Sequence, residues 1–274
     1  MNNSLVIAQI SDCHLFAEVD ALHCGKNVYH NLIAVLDEIK QNQDISYLIF
    51  TGDLSQDHSE ESYQLFVRAI EQSTISVPVL FLSGNHDEPE LLNKHLAFSP
   101  FIPDKLIQNN KWQIMLVESK SKIIAGPSGR VDEDELVMLT DAIDSNKRQL
   151  IFMHHHPVDV GYFIDKHGLQ EADVFWQTIN SHASIVGIAC GHIHRALTLF
   201  PAESTGDVTV YTCPATSIQF DPLATSVKAL EQGPGYRLFD LNKYGEITTS
   251  VHYINTKNIN TKNINEQRPN NMGQ

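Results

Sequence analysis

The fold of this chain is decided by a stretch that reads Tyr47-Leu48-Ile49-Phe50-Thr51-Gly52-Asp53-Leu54-Ser55-Gln56-Asp57. Its first four residues are apolar and predict a short buried strand, and the loop that follows carries two carboxylates behind a glycine. Similar apolar runs recur along the chain and alternate with segments of helical period. This alternation predicts an α/β protein with a mixed sheet.

The predicted strands and helices extend this pattern in both directions. Apolar runs predict strands at residues 5–8, 47–50, 79–82, 114–117, 150–153 and 185–189. Apolar residues at helical spacing predict two amphipathic helices, at residues 32–39 and 63–70, and a weaker one at 136–143 behind an acidic first turn. Strand-like pieces separated by turn residues between 198 and 253 predict antiparallel hairpins that complete a sheet.

Side chains that can bind metal follow five of these strands, in the loop where each strand ends. The five loop motifs are Asp12-Cys13-His14, Gly52-Asp53-Leu54-Ser55-Gln56-Asp57, Gly84-Asn85-His86-Asp87, His154-His155-His156-Pro157 and Gly191-His192-Ile193-His194. Because loops at strand carboxyl ends converge in α/β sheets, we expect these motifs to meet. Their nitrogen and oxygen donors suit manganese, iron or zinc, and they are numerous enough for two ions that share a carboxylate.

Two details of these loops lead to further expectations. In an extended segment, Asp12 with His14 and His192 with His194 would each point to one side. The carboxylates of Asp57 and Asp87 are expected either to orient ligands or to cap the following helix. Isolated histidines and aromatic residues elsewhere are expected to be structural; these include His23, His58, His167, Tyr162, Phe220 and Tyr236.

Composition and charge exclude several classes of protein. The chain has 274 residues, with 33 acidic against 19 basic side chains and a formal charge of −14, which disfavours nucleic acid as a partner. No apolar run is long enough to span a membrane, so we expect no membrane partner. The four cysteines are sparse, which favours a reducing compartment and therefore the cytoplasm. Composition leaves the oligomeric state, monomer or homodimer, open.

The five motifs in this order resemble the calcineurin-like metallophosphoesterase superfamily, and within it the bacterial class III 3′,5′-cyclic-AMP phosphodiesterases. The resemblance covers about residues 4–254 and implies a four-layer α/β/β/α sandwich of two mixed sheets. Residues 1–254 are therefore expected to form one catalytic domain. A low-complexity, mobile tail is expected at 255–274, where the sequence Ile-Asn-Thr-Lys-Asn of residues 254–258 is repeated at 259–263.

The resemblance also implies residue roles. One metal would be held by Asp12, His14, Asp53 and His194. The other would be held by Asp53, Asn85, His155 and His192, with Asp53 as the bridge. The family ligand stands two residues before the proline, which selects His155, and His154 and His156 remain alternatives. His86 would assist catalysis beside the phosphate, and the substrate-binding residues would be His14, Asn85, His86 and His194.

The implied reaction is hydrolysis of 3′,5′-cyclic AMP to 5′-AMP by attack of a hydroxide that bridges two divalent ions, iron or manganese with zinc as the alternative. The expected partner is thus a small cyclic nucleotide. A second interpretation is a broader phosphodiesterase that acts on glycerophosphodiesters or other cyclic nucleotides. A third is a non-catalytic scaffold of the same fold, which the seven competent ligand residues disfavour.

Overall fold

The structure is a computed structural model that describes residues 4–255. The strands are β1 (Leu5–Ile10), β2 (Leu22–His23), β3 (Lys26–Asn27), β4 (Tyr47–Phe50), β5 (Val79–Phe81), β6 (Phe101–Ile102), β7 (Leu106–Gln108), β8 (Trp112–Leu116), β9 (Arg148–Met153), β10 (Ile185–Cys190), β11 (Thr198–Leu199), β12 (Thr209–Thr212), β13 (Gly235–Leu241) and β14 (Ile247–Tyr253). The helices are α1 (Val28–Ile39), α2 (Glu60–Ser73), α3 (Pro89–His95), α4 (Glu133–Ala142) and α5 (Ala172–Asn180), and a short 3-10 helix covers Phe163–His167.

Two six-stranded mixed sheets form the centre of the molecule. The first has the strand order β14-β13-β1-β4-β5-β6, and the second has the order β11-β12-β10-β9-β8-β7. In the first sheet β1, β4, β5 and β6 run parallel, and β13 and β14 are antiparallel to their neighbours. In the second, β8, β9, β10 and β12 run parallel, and β7 and β11 are antiparallel. The prediction of two mixed sheets is therefore confirmed.

Alternation along each central strand explains the four layers. In β4, Leu48 and Phe50 pack with α1 and α2, whereas Ile49 faces the second sheet. In β9, Ile151 and Met153 pack in the core that includes α5, whereas Phe152 faces the first sheet. Because successive strand residues point to opposite faces, a strand that is apolar throughout is buried on both. The order of layers is thus helix, sheet, sheet, helix, as predicted.

The helices begin where the sequence supplies caps. The Asn27 side chain accepts the His30 amide at the start of α1, and the Ser59 hydroxyl accepts the Ser62 amide at the start of α2. Each cap satisfies one amide that has no partner within the helix. The three predicted helices are confirmed. The sequence patterns did not predict α3, α5, the 163–167 helix or the short strands β2, β3, β6 and β7, because such short segments carry little periodicity.

The predicted C-terminal hairpins are present, but they belong to different sheets. Strands β13 and β14 pair antiparallel at the edge of the first sheet, and β11 pairs antiparallel with β12 in the second. The predicted tail at 255–274 lies, apart from Asn255, outside the described residues. Among residues 4–255, none of the helices is long and apolar enough to cross a bilayer.

Candidate metal centre

Loops from both sheets bring the predicted ligands into one buried cluster. Four sets of three side chains have donor atoms within 4.8 Å of one another, and consecutive sets share members. The four sets are Asp12-His14-His194, His14-Asp53-His86, Asp12-Asp53-His154 and His154-His155-His192. Asn85 joins through its side-chain oxygen, which lies 3.1 Å from His154 Nε2. The expected convergence of the five motifs is therefore observed.

The first group of donors consists of Asp12, His14 and His194. His14 Nε2 lies 3.0 Å from His194 Nε2 and 3.6 Å from Asp53 Oδ2. His194 Nε2 also lies 3.4 Å from Asp12 Oδ1, while its Nδ1 contacts the Ile218 carbonyl at 2.8 Å. The carbonyl fixes the His194 ring so that Nε2 faces the other donors. Two imidazole nitrogens and two carboxylates that face one another fit a divalent cation.

The second group of donors brings His154 to the shared carboxylate. His154 Nε2 lies 3.4 Å from Asp53 Oδ1, in addition to its contact with Asn85. Its Nδ1 contacts the Thr51 carbonyl at 2.7 Å, which leaves Nε2 for the cluster. The neighbouring His155 instead places Nδ1 2.9 Å from the Ser119 hydroxyl. Within residues 4–255, His154 Nε2 contacts Asp53 and Asn85, whereas His155 Nε2 is buried without a hydrogen-bond partner.

Several buried ring nitrogens in this cluster have no hydrogen-bond partner among residues 4–255. They are His14 Nδ1, His86 Nδ1, His155 Nε2, His156 Nδ1 and Nε2, and His192 Nε2. Buried polar atoms normally find a partner, because an unsatisfied one costs about 1–3 kcal/mol. His155 and His192, whose Nε2 atoms are unpartnered, belong to one donor set with His154, which fits a metal site. The residues present therefore fit two metal ions.

The ligand-bearing loops have an unusual backbone, and this corrects one expectation. Five residues of the cluster have positive φ values: Asp12 (57°), His14 (47°), Asp53 (57°), His192 (66°) and His194 (50°). The expectation that the two i, i+2 pairs lie in extended segments is therefore wrong. A left-handed conformation costs a non-glycine residue roughly 1–3 kcal/mol, and such strain concentrates at functional sites. The tight loops turn the side chains toward the cluster.

Close packing of the loops explains two of the glycines. A Cβ on Gly84 would lie 2.2 Å from Asp53 Oδ1, and one on Gly191 would lie 2.0 Å from the Ser11 hydroxyl. Any side chain at either position would therefore push the ligand loops apart. The glycines permit the two sheets to present their loops at such short range.

Asp87 holds the loop that carries the shared carboxylate. Its fully buried carboxylate accepts the amides of Asp53, Leu54 and Gly84, each at 2.8 Å. Of its two expected roles, the structure shows the orienting one, since Glu88 is the residue that precedes α3. Asp57 instead accepts the amides of Ala17 and Ser59, the residue that caps α2.

Lys120 was not identified from the sequence. Its ammonium group donates to the backbone carbonyls of Asn85 (3.3 Å) and Asp87. The lysine thus ties down the loop that presents Asn85 and His86. A single lysine in a predicted loop offers no pattern from which this contact could have been foreseen.

Burial and the carboxylates set the protonation of the cluster. Burial lowers the pKa of His14, His155 and His192 well below the usual value, so these rings are neutral near pH 7. Burial, the largest single cause, acts to lower the pKa of His154, but Asp53, Asp12 and the Thr51 carbonyl together outweigh it and raise that pKa to about 9. A neutral imidazole is the form that binds metal. Most of the candidate ligands are therefore ready to bind.

His86 lies beside the cluster and within reach of its open side. Its backbone amide donates to Asp53 Oδ1 at 2.8 Å, and its ring meets the His14 ring edge-on at 4.9 Å. Burial is the main cause that lowers the pKa of His86. The ring lines a cavity of about 360 Å³, hereafter the site cavity, whose floor is formed by the predicted ligands. His23, expected to be structural, also lines this cavity.

Comparison with known proteins identifies the family. The sequence profile described as calcineurin-like phosphoesterase matches residues 5–196. The chain belongs to the calcineurin-like phosphoesterase family. This confirms the resemblance inferred from the five motifs.

Within the calcineurin-like phosphoesterases, the chain is similar to curated cyclic nucleotide phosphodiesterases. It is 55% identical over 253 residues to a probable cyclic nucleotide phosphodiesterase of Colwellia psychrerythraea, a match that covers 91% of this chain and 95% of the relative. It is 33% identical to the 3′,5′-cyclic adenosine monophosphate phosphodiesterase CpdA of Vibrio vulnificus, with 92% and 91% covered. Identity to the CpdA of Escherichia coli is 32%, with 90% and 89% covered.

Solved structures show the same calcineurin-like phosphoesterase fold at low sequence identity. A dimetal phosphatase from Danio rerio superposes with a TM-score of 0.60 at 14% identity and covers 93% of this chain and 100% of that one. Purple acid phosphatase from yellow lupin superposes with a TM-score of 0.57 at 11% identity and covers 92% of this chain and 54% of that one. At these identities the likeness shows the fold and confirms the predicted architecture.

Proposed function

We propose that this protein is a two-metal phosphodiesterase that hydrolyses 3′,5′-cyclic AMP to 5′-AMP. The observation that carries the proposal is the position of Asp53, whose two carboxylate oxygens face the two donor groups. Oδ2 lies 3.6 Å from His14 Nε2, and Oδ1 lies 3.4 Å from His154 Nε2. A carboxylate shared in this way is what a pair of ions in a phosphoesterase requires. Cyclic AMP as the substrate is supported by the similarity of this chain to proteins named as cyclic nucleotide phosphodiesterases.

The proposed ligands form two sets that share Asp53. Asp12, His14 and His194 complete the first set, as expected from the sequence. For the second set we propose Asn85, His192 and His154, so that His154 takes the place that the sequence motif gave to His155. This choice is supported by the contacts of His154 Nε2 with Asp53 and Asn85. His155, whose Nε2 has no partner within residues 4–255 and which belongs to the same donor set, is the alternative.

Two bound divalent ions would supply an activated water at neutral pH and neutralise charge on the phosphoryl oxygens. The oxygen and nitrogen donors suit iron or manganese, with zinc as the alternative. The ions would also offset the acidic surface locally, because bound cations dominate the field in such a site. An anionic substrate is thus compatible with the formal charge of −14.

His86 is proposed to donate a proton or a hydrogen bond to the ribose oxygen that leaves phosphorus. Its ring lines the site cavity, and its backbone is anchored to Asp53 at 2.8 Å, so the ring is held beside the reacting group. General acid assistance contributes about 10²–10⁴-fold to such reactions. The side chains of His14, Asn85 and His194 line or border the same floor and are proposed to contact the phosphoryl group together with His86.

We further propose a cytoplasmic enzyme whose catalytic domain is residues 1–254. The cytoplasm is supported by the four cysteines, all of which are free and three of which are buried. A single domain is supported by the cores that connect both sheets and both helical layers.

Product analysis tests the proposed reaction. Chelator-treated protein is supplied with manganese, iron or zinc singly and incubated with 3′,5′-cyclic AMP. We expect 5′-AMP only after an ion is restored, with about two ions bound per chain. A kcat/KM that is much higher for a glycerophosphodiester than for cyclic AMP would show that cyclic AMP is not the preferred substrate. Protein that binds no metal would support the interpretation as a non-catalytic scaffold.

Leaving-group dependence tests the role of His86. We expect His86→Ala to slow hydrolysis of cyclic AMP by about 10²-fold or more. The loss should shrink for aryl phosphodiesters, whose leaving groups need no proton. Equal losses for good and poor leaving groups would exclude a general acid role.

A further inference from the structure

The site cavity has two chemically different parts. Its lining includes imidazoles and the Asp53 carboxylate of the proposed metal centre, and it also includes five apolar residues, Pro127, Phe163, Ile164, Phe220 and Val227. We refer to these five residues as the apolar wall. A metal centre needs no apolar wall for phosphoryl chemistry, because the charge that develops there is stabilised by ions and polar groups. The wall therefore points to a part of the ligand other than its phosphate.

Three residues of the apolar wall, Phe163, Ile164 and Phe220, belong to a packed cluster. Ile164, Phe220, Ile193 and Ile218 form a small hydrophobic core of their own, against which Phe163 packs. This core lies behind the metal loop, because Ile193 stands between the proposed ligands His192 and His194. This part of the wall is therefore preformed, and binding against it requires little ordering of side chains.

Polar contacts hold the 163–167 helix in place. The Asp165 carboxylate accepts the amides of Val160 (2.8 Å), Gly161 (2.8 Å) and Tyr162 (3.2 Å) and lies 3.5 Å from His156 Nε2. The Tyr162 hydroxyl donates to the Ile193 carbonyl. The helix that presents Phe163 is thus tied to the loops that carry the metal ligands.

The two phenylalanines of the apolar wall differ in what their rings contact. The Phe220 ring stacks on the His194 imidazole, with centroids 3.8 Å apart and planes within 6°, and is 5% exposed. Phe163 is only partly buried and meets Phe220 at 5.3 Å with an angle of 50°. Phe220 therefore supports a ligand of the first metal set, and Phe163 has ring surface free to face the cavity.

The size and chemistry of the cavity indicate a ligand of nucleotide size. At about 360 Å³ the cavity lies at the small end of the range for small-molecule sites, roughly 300–1,000 Å³. The hydroxyl groups of Thr225 and Ser226 and the ring of His23 also line it and can bond the polar edge of a flat heterocycle. An anionic floor-bound group joined to a flat aromatic body is the chemistry of a single nucleotide.

We propose that the apolar wall is a nucleobase subsite in which Phe163 stacks on the base. The proposal rests on the proposed function for the identity of the phosphodiester. Stacking on an aromatic side chain tolerates any base and is lost when the ring is removed. Phe163 thus determines the preference for nucleotides over phosphodiesters that lack a base, and it takes no part in the chemical step.

A pair of substrates tests the subsite. One is 3′,5′-cyclic AMP, and the other is the 3′,5′-cyclic phosphate of methyl β-D-ribofuranoside, which has the same ring and no base. We expect Phe163→Ala to lower kcat/KM for cyclic AMP by about tenfold or more, mainly through KM. The value for the base-free substrate should stay within about twofold of wild type. The ratio of the two values isolates the contact with the base.

Two further variants separate stacking from packing. Phe163→Tyr keeps the aromatic face and should retain the wild-type ratio, whereas Phe163→Leu keeps an apolar side chain and should lose most of it. Phe200→Ala serves as the matched control, because Phe200 is 83% exposed and does not line the cavity. Equal losses on both substrates, or an unchanged ratio in Phe163→Ala and Phe163→Leu, would overturn the proposal.

Binding measurements distinguish failure of the subsite from failure of the proposed function. If the wild type hydrolyses no cyclic nucleotide, the proposed function fails, and calorimetric titration of the manganese-loaded protein then decides the subsite. Tighter binding of 5′-AMP than of ribose 5-phosphate, with the difference lost in Phe163→Ala, supports the subsite. Equal binding of the two compounds refutes it.

Discussion

The two sheets contribute different atoms to the proposed metal centre. Loops of the first sheet provide the oxygen donors Asp12, Asp53 and Asn85 together with one imidazole, whereas loops of the second sheet provide imidazoles only. Each proposed ligand set draws on both sheets. The centre therefore exists only while the sheets keep their relative position.

The core between the sheets maintains that position. Phe152 of the second sheet meets Phe239 of the first edge-on at 5.5 Å, and both are fully buried. Because dense packing transmits small displacements, a void in this core would shift the positions of the metal-binding side chains. On the oxygen side, Asp87 and Lys120 hydrogen-bond the backbone of the ligand loops. On the imidazole side, the rings themselves contact backbone carbonyls, His194 that of Ile218 and His154 that of Thr51.

The largest expected effect comes from the one residue that serves both ligand sets. Asp53→Asn removes the shared charge and should abolish binding of both ions. Activity should fall by at least the roughly 10²–10³-fold that loss of one electrostatic stabiliser costs. Metal analysis after dialysis and steady-state kinetics check this. Asp57→Asn, in the same loop but facing Ala17 and Ser59, is the control; retention of two ions by Asp53→Asn would refute the bridge.

The next effect separates two adjacent residues on the imidazole side. His154→Ala should lose one of two ions and most activity, because His154 Nε2 contacts Asp53 and Asn85. His155→Ala should keep both ions and lose about 10–100-fold in metal affinity or activity, as supporting residues do. Metal content per chain and kcat for the two variants check this. Loss of an ion in His155→Ala but not in His154→Ala would instead support His155 as the ligand, as the sequence motif predicts.

A smaller effect is expected on the oxygen side from Lys120. Lys120→Met removes the ammonium donor to the Asn85 and Asp87 carbonyls and should weaken binding of the second ion by about tenfold. Lys122→Met is the matched control, because that lysine is exposed and pairs only with Asp134 among the described residues. Competition titrations with a chelating dye measure the affinity. Equal affinities in the two variants would count against the role of Lys120.

The smallest effect concerns protons. His154, with its pKa raised to about 9, is protonated at pH 7 in the metal-free protein, and it must lose that proton to bind an ion. Binding to the second set should thus release one proton, and affinity should rise about tenfold per pH unit between 7 and 9. His14, which is already neutral at pH 7, should contribute no proton to this release. Calorimetry in buffers of different ionisation enthalpy measures this; pH-independent affinity would contradict it.

Much of this protein could be predicted from the sequence because the decisive patterns are local. Apolar runs such as Tyr47–Phe50 place strands, and a short motif of metal-binding side chains after five of these runs places the ligands at one edge of the sheets. Family membership follows from the order of the five motifs. These properties depend on residues close together in the chain, and local sequence therefore determined them.

Other properties depend on contacts between distant segments, which no local pattern encodes. Three adjacent histidines offer the same chemistry, and only the packing of β9 against β4 brings His154, through Thr51, to Asp53. Contacts between distant segments also produce three other features. They are the left-handed backbone at Asp12 and His192, the hydrogen bonds from Lys120 to the Asn85 loop, and the position of the Phe163 ring at the site cavity. The sequence by itself determined which groups are present and at which edge they gather. The tertiary structure decided which atoms face one another, because that choice depends on how two sheets pack across a shared core.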